Sequence, residues 1–282
     1  MEKVFFDTEC YNNYFLIVFK NEVGKTTSFE RTSNHPLNVK VLKSFITNKL
    51  LIGFSSKMYD IPMISYALTG VNNSALKAMS NALIPQEELV KKGLLQSSFE
   101  VISNNGLWGI GGCNYDHIDI KNVAPSQNSL KAYGARIGSK KLQDLPYDHT
   151  KNLTIEQMKG VRDYCKNDVN ITKDVYVALA EECSIRLDLN KEFNIDSRSK
   201  SKAQIADLVI SRHCEVDVSK IVDNVVFKFK TDLNFKFKNE GLKILLKDLE
   251  SIDFSIDRYA KVKCKGVRRQ IEINEGKYNF GI

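Results

Sequence analysis

No stretch of the 282 residues approaches the roughly 18 consecutive apolar residues that cross a membrane, and the start lacks the basic, apolar and small-residue order of a secretory leader. No membrane partner is expected, and the expected location is cytoplasmic. Paired cysteines are also missing. Cys10, Cys113, Cys165, Cys183, Cys214 and Cys264 are scattered, with no CxxC and no histidine spacing of a zinc site, so reduced thiols are expected. Internal repeats and low-complexity tracts are absent as well. What is present, 43% hydrophobic residues over this length, suffices for one large domain or two ordinary ones. The net charge of +7 is unevenly placed: from Ser219 onward 14 Lys and Arg stand against 9 Asp and Glu. That excess suits either a polyanionic partner or a Lys-rich solvated surface.

Hydrophobic patterning predicts an α/β chain. Strands are expected at "KVFFD", "YFLIVF" and "TTSFE", a helix at "LNVKVLKSFITNK", and a strand at "LLIGF". A helix is expected over about 61–68, then a mostly helical stretch to about Gln96, and turn plus strand in "LWGIGGCNYDHIDI". The clearest helix begins after Thr154, a suitable N-cap with Gln157 three residues on, and its periodicity predicts one continuous helix through "TIEQMKGVRDYCKNDVNITKDVYVALAEECSIRLDLN". "NIDSRSKSKAQ" is a polar break before the helix "AQIADLVI". A boundary is drawn near Cys214, with domains at 1–215 and 216–282. Beyond it, "VVFKFKTDLNFKFK" alternates like a hairpin and "EGLKILLKDLES" reads as a short helix. The Lys faces of that hairpin either bind a nucleic-acid backbone or guard an edge strand.

The stretch "VFFDTE" poses a physical problem. Side chains two apart on a strand share a face, so Asp7 and Glu9 point the same way at the end of an apolar run. Two like charges a few Å apart cost roughly 4 kcal/mol at an effective dielectric of about 20. Lys or Arg, solvent at a strand end, or a metal ion can compensate. A third acid, Asp60 in "LLIGFSSKMYDIPMI", falls at a helix start, where it reads equally as a cap. A fourth, Asp168, is one turn from Tyr164 on one helix face, the ordinary pattern of a half-exposed helix.

Taken together, "DTE", "YD" and "YxxxD" resemble the motifs of the DEDD exonucleases, in the subclass with tyrosine in the last motif. More narrowly, "GFSSKMYDIPMI", "SLKAYGARIGSKKLQDLPYD", "YCKNDVNITKDVY" and "RSKSKAQIADLVI" resemble the N-terminal proofreading exonuclease region of family B-like DNA polymerases of tailed bacteriophages. The resemblance covers about residues 1–215. It implies a ribonuclease H-like fold, a mixed sheet flanked by helices, followed by a smaller basic α+β extension. It also implies two divalent ions, Mg²⁺ or Mn²⁺, held by hard carboxylate oxygens and supplying the hydroxide and leaving-group stabilisation of phosphodiester hydrolysis. Asp7 and Glu9, about 6.7 Å apart along a strand, can flank such a pair. By the same resemblance Asp7 bridges both ions, Glu9 and Asp168 hold the one that activates water, Asp60 holds the other largely through water, and Tyr164 orients the attacking water.

The implied substrate is a single-stranded DNA 3′ end in the cytoplasm of a phage's host, and the implied partner is a polymerase module or subunit. Ser55 and Ser56 stand where such polymerases have asparagine, and both are expected near the substrate. Phe54, Tyr59 and Trp108 are candidates to stack on frayed bases or to pack in the core. Ser201 is a candidate cap of a helix whose N-terminus, with Lys200 and Lys202, is placed to receive a phosphate. "GLWGIGGC" matches neither GxGxxG nor a GK[ST] loop and reads as a turn. The paired-aspartate polymerase motif YxDTDS is absent from the chain, so either the sequence stops before that module or the two activities are separate chains. Two other functions stay open: an RNA-trimming nuclease, and a catalytically silent nucleic-acid-binding or polymerase-docking module.

Overall fold

Alternation along the first strand organises the larger part of the molecule. In the computed structural model, which describes residues 1–126, 128–213, 225–231, 237–256, 262–264, 268–273 and 276–281, β1 spans Glu2–Cys10. Its Val4, Phe6 and Cys10 enter one apolar cluster, and its Phe5, with Tyr11 just past the strand, enters another on the opposite face. β2 (Tyr14–Asn21) and β3 (Thr26–Thr32) continue an antiparallel meander. β2 opens with six consecutive buried residues because helices cover both faces of the sheet, which removes the in/out polarity of a half-exposed strand.

After α1 (Val39–Ile46), β4 (Lys49–Gly53) returns parallel to β1. α2 (Asp60–Ala67), α3 (Asn73–Leu83), α4 (Glu87–Lys91) and α5 (Ser98–Asn104) follow, and then β5 (Asp116–Asp119), parallel to β4. The mixed five-stranded sheet has the order β3-β2-β1-β4-β5. Residues of α1, α2, α3 and α5 fill the first cluster. The second is filled from α6 (Ile120–Val123), α7 (Leu130–Arg136), α8 (Ile155–Ala178) and α9 (Ala180–Phe193). The chain is thus α/β with helices on both faces, and no helix among the described residues is long and apolar enough to cross a membrane.

The start of α8 follows its sequence signal: Thr154 accepts from the Gln157 N–H and Gln157 returns a bond to the Thr154 N–H, a reciprocal cap. Its end does not. The predicted single helix breaks at Leu179, whose N–H is shared between the carbonyls of Val175 and Tyr176. No glycine or proline marks the break. α9 is instead tied to the segment after it, through Arg186 donating to the Lys200 carbonyl and Ser197 Oγ donating to the Arg186 carbonyl. α10 (Lys202–His213) comes next, and Ser201 accepts from the Gln204 N–H at its start.

The chain divides into two compact units, Met1–Ile210 and Ser211–Ile282. In the second, β6 (Val225–Lys228) pairs with β7 (Asp253–Ile256) and β7 with β8 (Val262–Cys264), while β9 (Arg268–Ile273) and β10 (Gly276–Gly281) form a hairpin. α11 (Glu240–Ser251) is capped by Asn239, which accepts from the Leu242 N–H. The second arm of the hairpin expected within "VVFKFKTDLNFKFK" falls largely on residues outside the described ones, and among the described residues β6 pairs with β7. In that pairing Phe227 lies directly opposite Phe254, with their rings stacked at 5.5 Å. Residues 232–236 of that segment lie outside the described residues.

Gly53, the last residue of β4, tests how tightly the turn toward α2 is packed. A Cβ there would stand 2.5 Å from the Ser56 side chain and 2.9 Å from the Phe6 ring, and both residues are buried with no room to retreat. Gly53→Ala should therefore lose about 1–3 kcal/mol of stability, the usual cost of overpacking. Denaturant unfolding measures it, and an unchanged midpoint would contradict this close approach.

Candidate metal centre

β4 pairs with β1 only as far as Phe5, whereas β2 pairs with it through Cys10. The far end of β1 therefore has an edge free of β4, and the acids stand there. Asp7 and Glu9 leave the strand toward α8, whose Val161, Cys165 and Val169 pack into the cluster beneath them. That packing brings Asp168 opposite. One carboxylate oxygen from each of Asp7, Glu9 and Asp168 lies within 4.8 Å of the others. Tyr164, one turn before Asp168 on α8, is buried beside it. The Cys165 thiol donates to Asp7 Oδ2 at 3.5 Å.

Asp60 arrives differently. It is the first residue of α2 and is buried, and its Oδ1 accepts from the Thr8 N–H at 3.0 Å and the Thr8 hydroxyl at 2.5 Å. Strand alternation turns Thr8 away from its neighbours Asp7 and Glu9, so Thr8 receives Asp60 while they receive Asp168. Asp60 is not one of the three carboxylates within 4.8 Å, but its charge is the largest electrostatic influence on Asp7.

The electrostatics follow from burial and like charge. Burial pushes the Asp7 carboxyl well above the carboxylate range, and Asp60, Glu9 and Asp168 push it further. Glu9 is pushed up to about 8 by burial and by Asp168 and Asp60, with Lys131 opposing. Asp60 reaches about 7 through burial, against the Thr8 hydroxyl bond, with Asp119 adding repulsion. Asp168 is raised by burial while Tyr164 and Lys131 pull it down. Burial, and then Asp168, raise the Tyr164 phenol far above its ordinary range. Lys131 on α7 offsets the acids only partly, because it stands over the Tyr164 ring at 5.8 Å and pairs with Asp144 at 3.0 Å.

These residues fit a metal ion. Their donors are hard carboxylate oxygens, and Asp168 Oδ1 is buried without a hydrogen-bond partner among the described residues. The repulsion that raises the acids' proton affinity is what a bound cation would relieve.

Asp7, Glu9 and Asp60 line a cleft of about 830 Å³, while Asp168 and Tyr164 stand behind them outside its lining. Of the residues proposed from sequence to contact nucleic acid, Phe54, Ser55 and Tyr59 line it. Ser56 does not; it is fully buried, and its hydroxyl bonds His117 Nε2 at 2.9 Å. Burial pushes that imidazole down to about 3, so it is neutral at ordinary pH. Trp108 is exposed and packs edge-on against Phe99, outside the cleft lining. Lys200 and Lys202 stand at the start of α10, also outside it, with Lys202 lining a separate groove between α9 and α10.

Sequence reasoning passed over several residues that hold the site. Asp119 clamps the turn leading to Asp60, accepting from the Ser55 N–H on Oδ1 and the Lys57 N–H on Oδ2, both at 2.9 Å. That clamp holds Ser55 at a φ of +59°, a left-handed conformation uncommon for serine. An aspartate closing the strand in "HIDIKN" was the available signal. Thr8, Lys131 and Lys77 carry no such signal, since their partners come from distant segments.

Comparison with models of protein families, with curated proteins and with solved structures finds no match for the chain.

The raised carboxyls give a pH dependence whose sign is determined. Each binds its proton more tightly folded than unfolded, where carboxyls titrate near about 4. Their contribution to stability is thus fully present below that value and is lost as pH rises through the folded values, about 7 for Asp60 and about 8 for Glu9. The metal-free melting temperature should fall between about pH 5 and about pH 8, and saturating Mn²⁺ should remove most of that fall. Asp7→Asn or Asp168→Asn should weaken the Mn²⁺ effect. Differential scanning fluorimetry measures both, and a parent protein indifferent to Mn²⁺ would argue against a metal centre.

Proposed function

We propose that this chain is a metal-dependent 3′ to 5′ exonuclease that removes nucleotides from single-stranded or mispaired DNA ends, as the proofreading part of a phage DNA polymerase. The observation that carries the reading is the convergence of Asp7, Glu9 and Asp168, with Tyr164 beside them on α8, where Asp7 and Glu9 also line a cleft. The four acids and the tyrosine occupy the motif positions of the DEDD exonucleases. The mixed sheet with helices on both faces is compatible with the ribonuclease H-like architecture of that family.

In this reading Asp7, Glu9 and Asp168 would hold Mg²⁺ or Mn²⁺, and Asp60, fixed by Thr8, adds a further carboxylate whose charge acts on Asp7. Divalent cations held there would supply an activated water and neutralise charge building on the leaving 3′ oxygen. Tyr164 works as a hydrogen-bonding positioner of that water, because a phenol whose ionisation burial has raised stays protonated and is a poor base. Phe54 and Tyr59 on the cleft wall offer apolar ring surface to an unstacked base. A site built on a strand end and a helix face takes the scissile phosphate from a separated strand, which favours frayed or mispaired termini.

A 5′-labelled single strand should shorten to a ladder with Mg²⁺ or Mn²⁺ and stay intact in EDTA, and a blunt duplex should be degraded more slowly. Asp7→Ala should lose on the order of 10³-fold or more in rate. Tyr164→Phe should keep metal binding and lose roughly 10 to 10²-fold, the scale of one positioning hydrogen bond of about 1.5 to 3 kcal/mol. The assignment of roles fails if Tyr164→Phe is as inactive as Asp7→Ala, or if Asp7→Ala cleaves at near-parent rate. A matched RNA strand separates a DNA exonuclease from an RNA-trimming one.

A further inference from the structure

The cleft has a second charged wall of opposite sign. Lys77 lies on α3 among the lining residues and is only 8% exposed, yet its one hydrogen bond among the described residues is to the Cys10 carbonyl at 3.5 Å, the limit of a bond. A buried ammonium is costly unless an anion or several acceptors satisfy it. The carboxylate that acts on it is Asp148, which makes no ion pair with it among the described residues. Burial accordingly lowers its proton affinity, and an arriving anion would restore it. Ser80 and Asn81 share its helix face at i+3 and i+4 and also line the cleft. The Ser80 hydroxyl is already engaged with the Tyr59 hydroxyl at 2.8 Å, which leaves Lys77 and the exposed Asn81 with spare donors.

We propose that Lys77 is a phosphate subsite, taking a backbone phosphate of the bound strand other than the one at the acid cluster. The inference rests on the exonuclease reading and adds to it a residue that the DEDD motifs do not contain. The acids repel a bare phosphodiester, so on their side of the cleft a phosphate must be held through cations. On the α3 side an ammonium is already in place without an anion. A single strand carries one phosphate per nucleotide, and a cleft spanning both walls offers a neighbouring phosphate to Lys77 while the scissile one sits at the acids.

The test is equilibrium binding of a fluorescent single-stranded oligonucleotide to the full chain, with Ca²⁺ replacing Mg²⁺ to slow turnover, as a function of salt. Each phosphate neutralised on a single strand contributes about 0.7 to the slope of log affinity against log salt. Lys77→Met should weaken binding on the order of ten- to a hundredfold and flatten the slope by about 0.7, and Lys77→Arg should restore the slope. On the parent protein, a neutral methylphosphonate scanned through the 3′-terminal linkages should weaken binding at one linkage besides the scissile one, and that loss should vanish in Lys77→Met. The scan and the arginine variant decide the matter even if Lys77→Met is less stable. Parent-like affinity and slope in Lys77→Met overturn the subsite, as does a scan that weakens both proteins equally at every linkage. If the parent binds with the Lys77-dependent slope yet shortens no strand with Mg²⁺ or Mn²⁺, the exonuclease reading fails while the phosphate subsite stands.

Discussion

Like charge held in one place against its own repulsion is the constraint around which the larger unit is built. Asp7 and Glu9 are bound to the same face by the geometry of a strand, and α8 then adds Asp168 within 4.8 Å. At the dielectric typical of such sites each close pair costs several kcal/mol if both members are charged. Neutral donors and one cation offset only part of this: the Cys165 thiol on Asp7, the Thr8 hydroxyl on Asp60, and Lys131 opposite Glu9 and Asp168. Apolar packing supplies the remainder. Phe5 on β1 and Tyr11 just beyond it flank the acids, and Val161, Cys165 and Val169 back them on α8, so the carboxylates cannot separate without opening the core.

Asp60 shows how a residue from another layer is delivered to the same corner. It comes from the opposite side of the sheet, at the start of a helix, and is held from two directions. Thr8 takes its carboxylate directly, and Asp119 fixes the backbone of the turn before it, at Ser55 and Lys57. The strained Ser55 is maintained by that second clamp. Behind it, the buried Ser56 and the neutral His117 pack the turn onto β5. The turn thus exposes Ser55 and Tyr59 to the cleft while burying Ser56, although the two serines are adjacent in sequence.

Much of this is legible in the sequence. Short apolar runs located the first three strands, the reciprocal Thr154–Gln157 cap located the start of the long helix, and the i, i+4 spacing put Tyr164 and Asp168 on one face. The break at Leu179 was not legible, since no glycine or proline signals it and α9 makes its ties to Ser197 and Lys200, which follow it in the chain. Nor was the partner of β6, because alternating Phe and Lys specify a strand face without specifying which strand lies beside it. Ser55 and Ser56 could not be told apart in sequence, and neither could a lysine on a helix that ends in solvent from one that ends in a cleft.

The sequence by itself determined which acids can share a face, because that depends only on the two-residue repeat of a strand and the 3.6-residue repeat of a helix. It also determined that the acids on the two elements have chemistry suited to a cation. Only the tertiary structure decided that β1 outruns β4, that α8 crosses the strand at Cys165 so that Asp168 meets Asp7 and Glu9, and that Asp60 reaches them past Thr8. It also decided that Lys77 is buried in the wall of the same cleft. Those outcomes depend on the packing of segments 50 to 160 residues apart, and the energy of such packing is spread over many apolar contacts, none of which leaves a local signature in the chain.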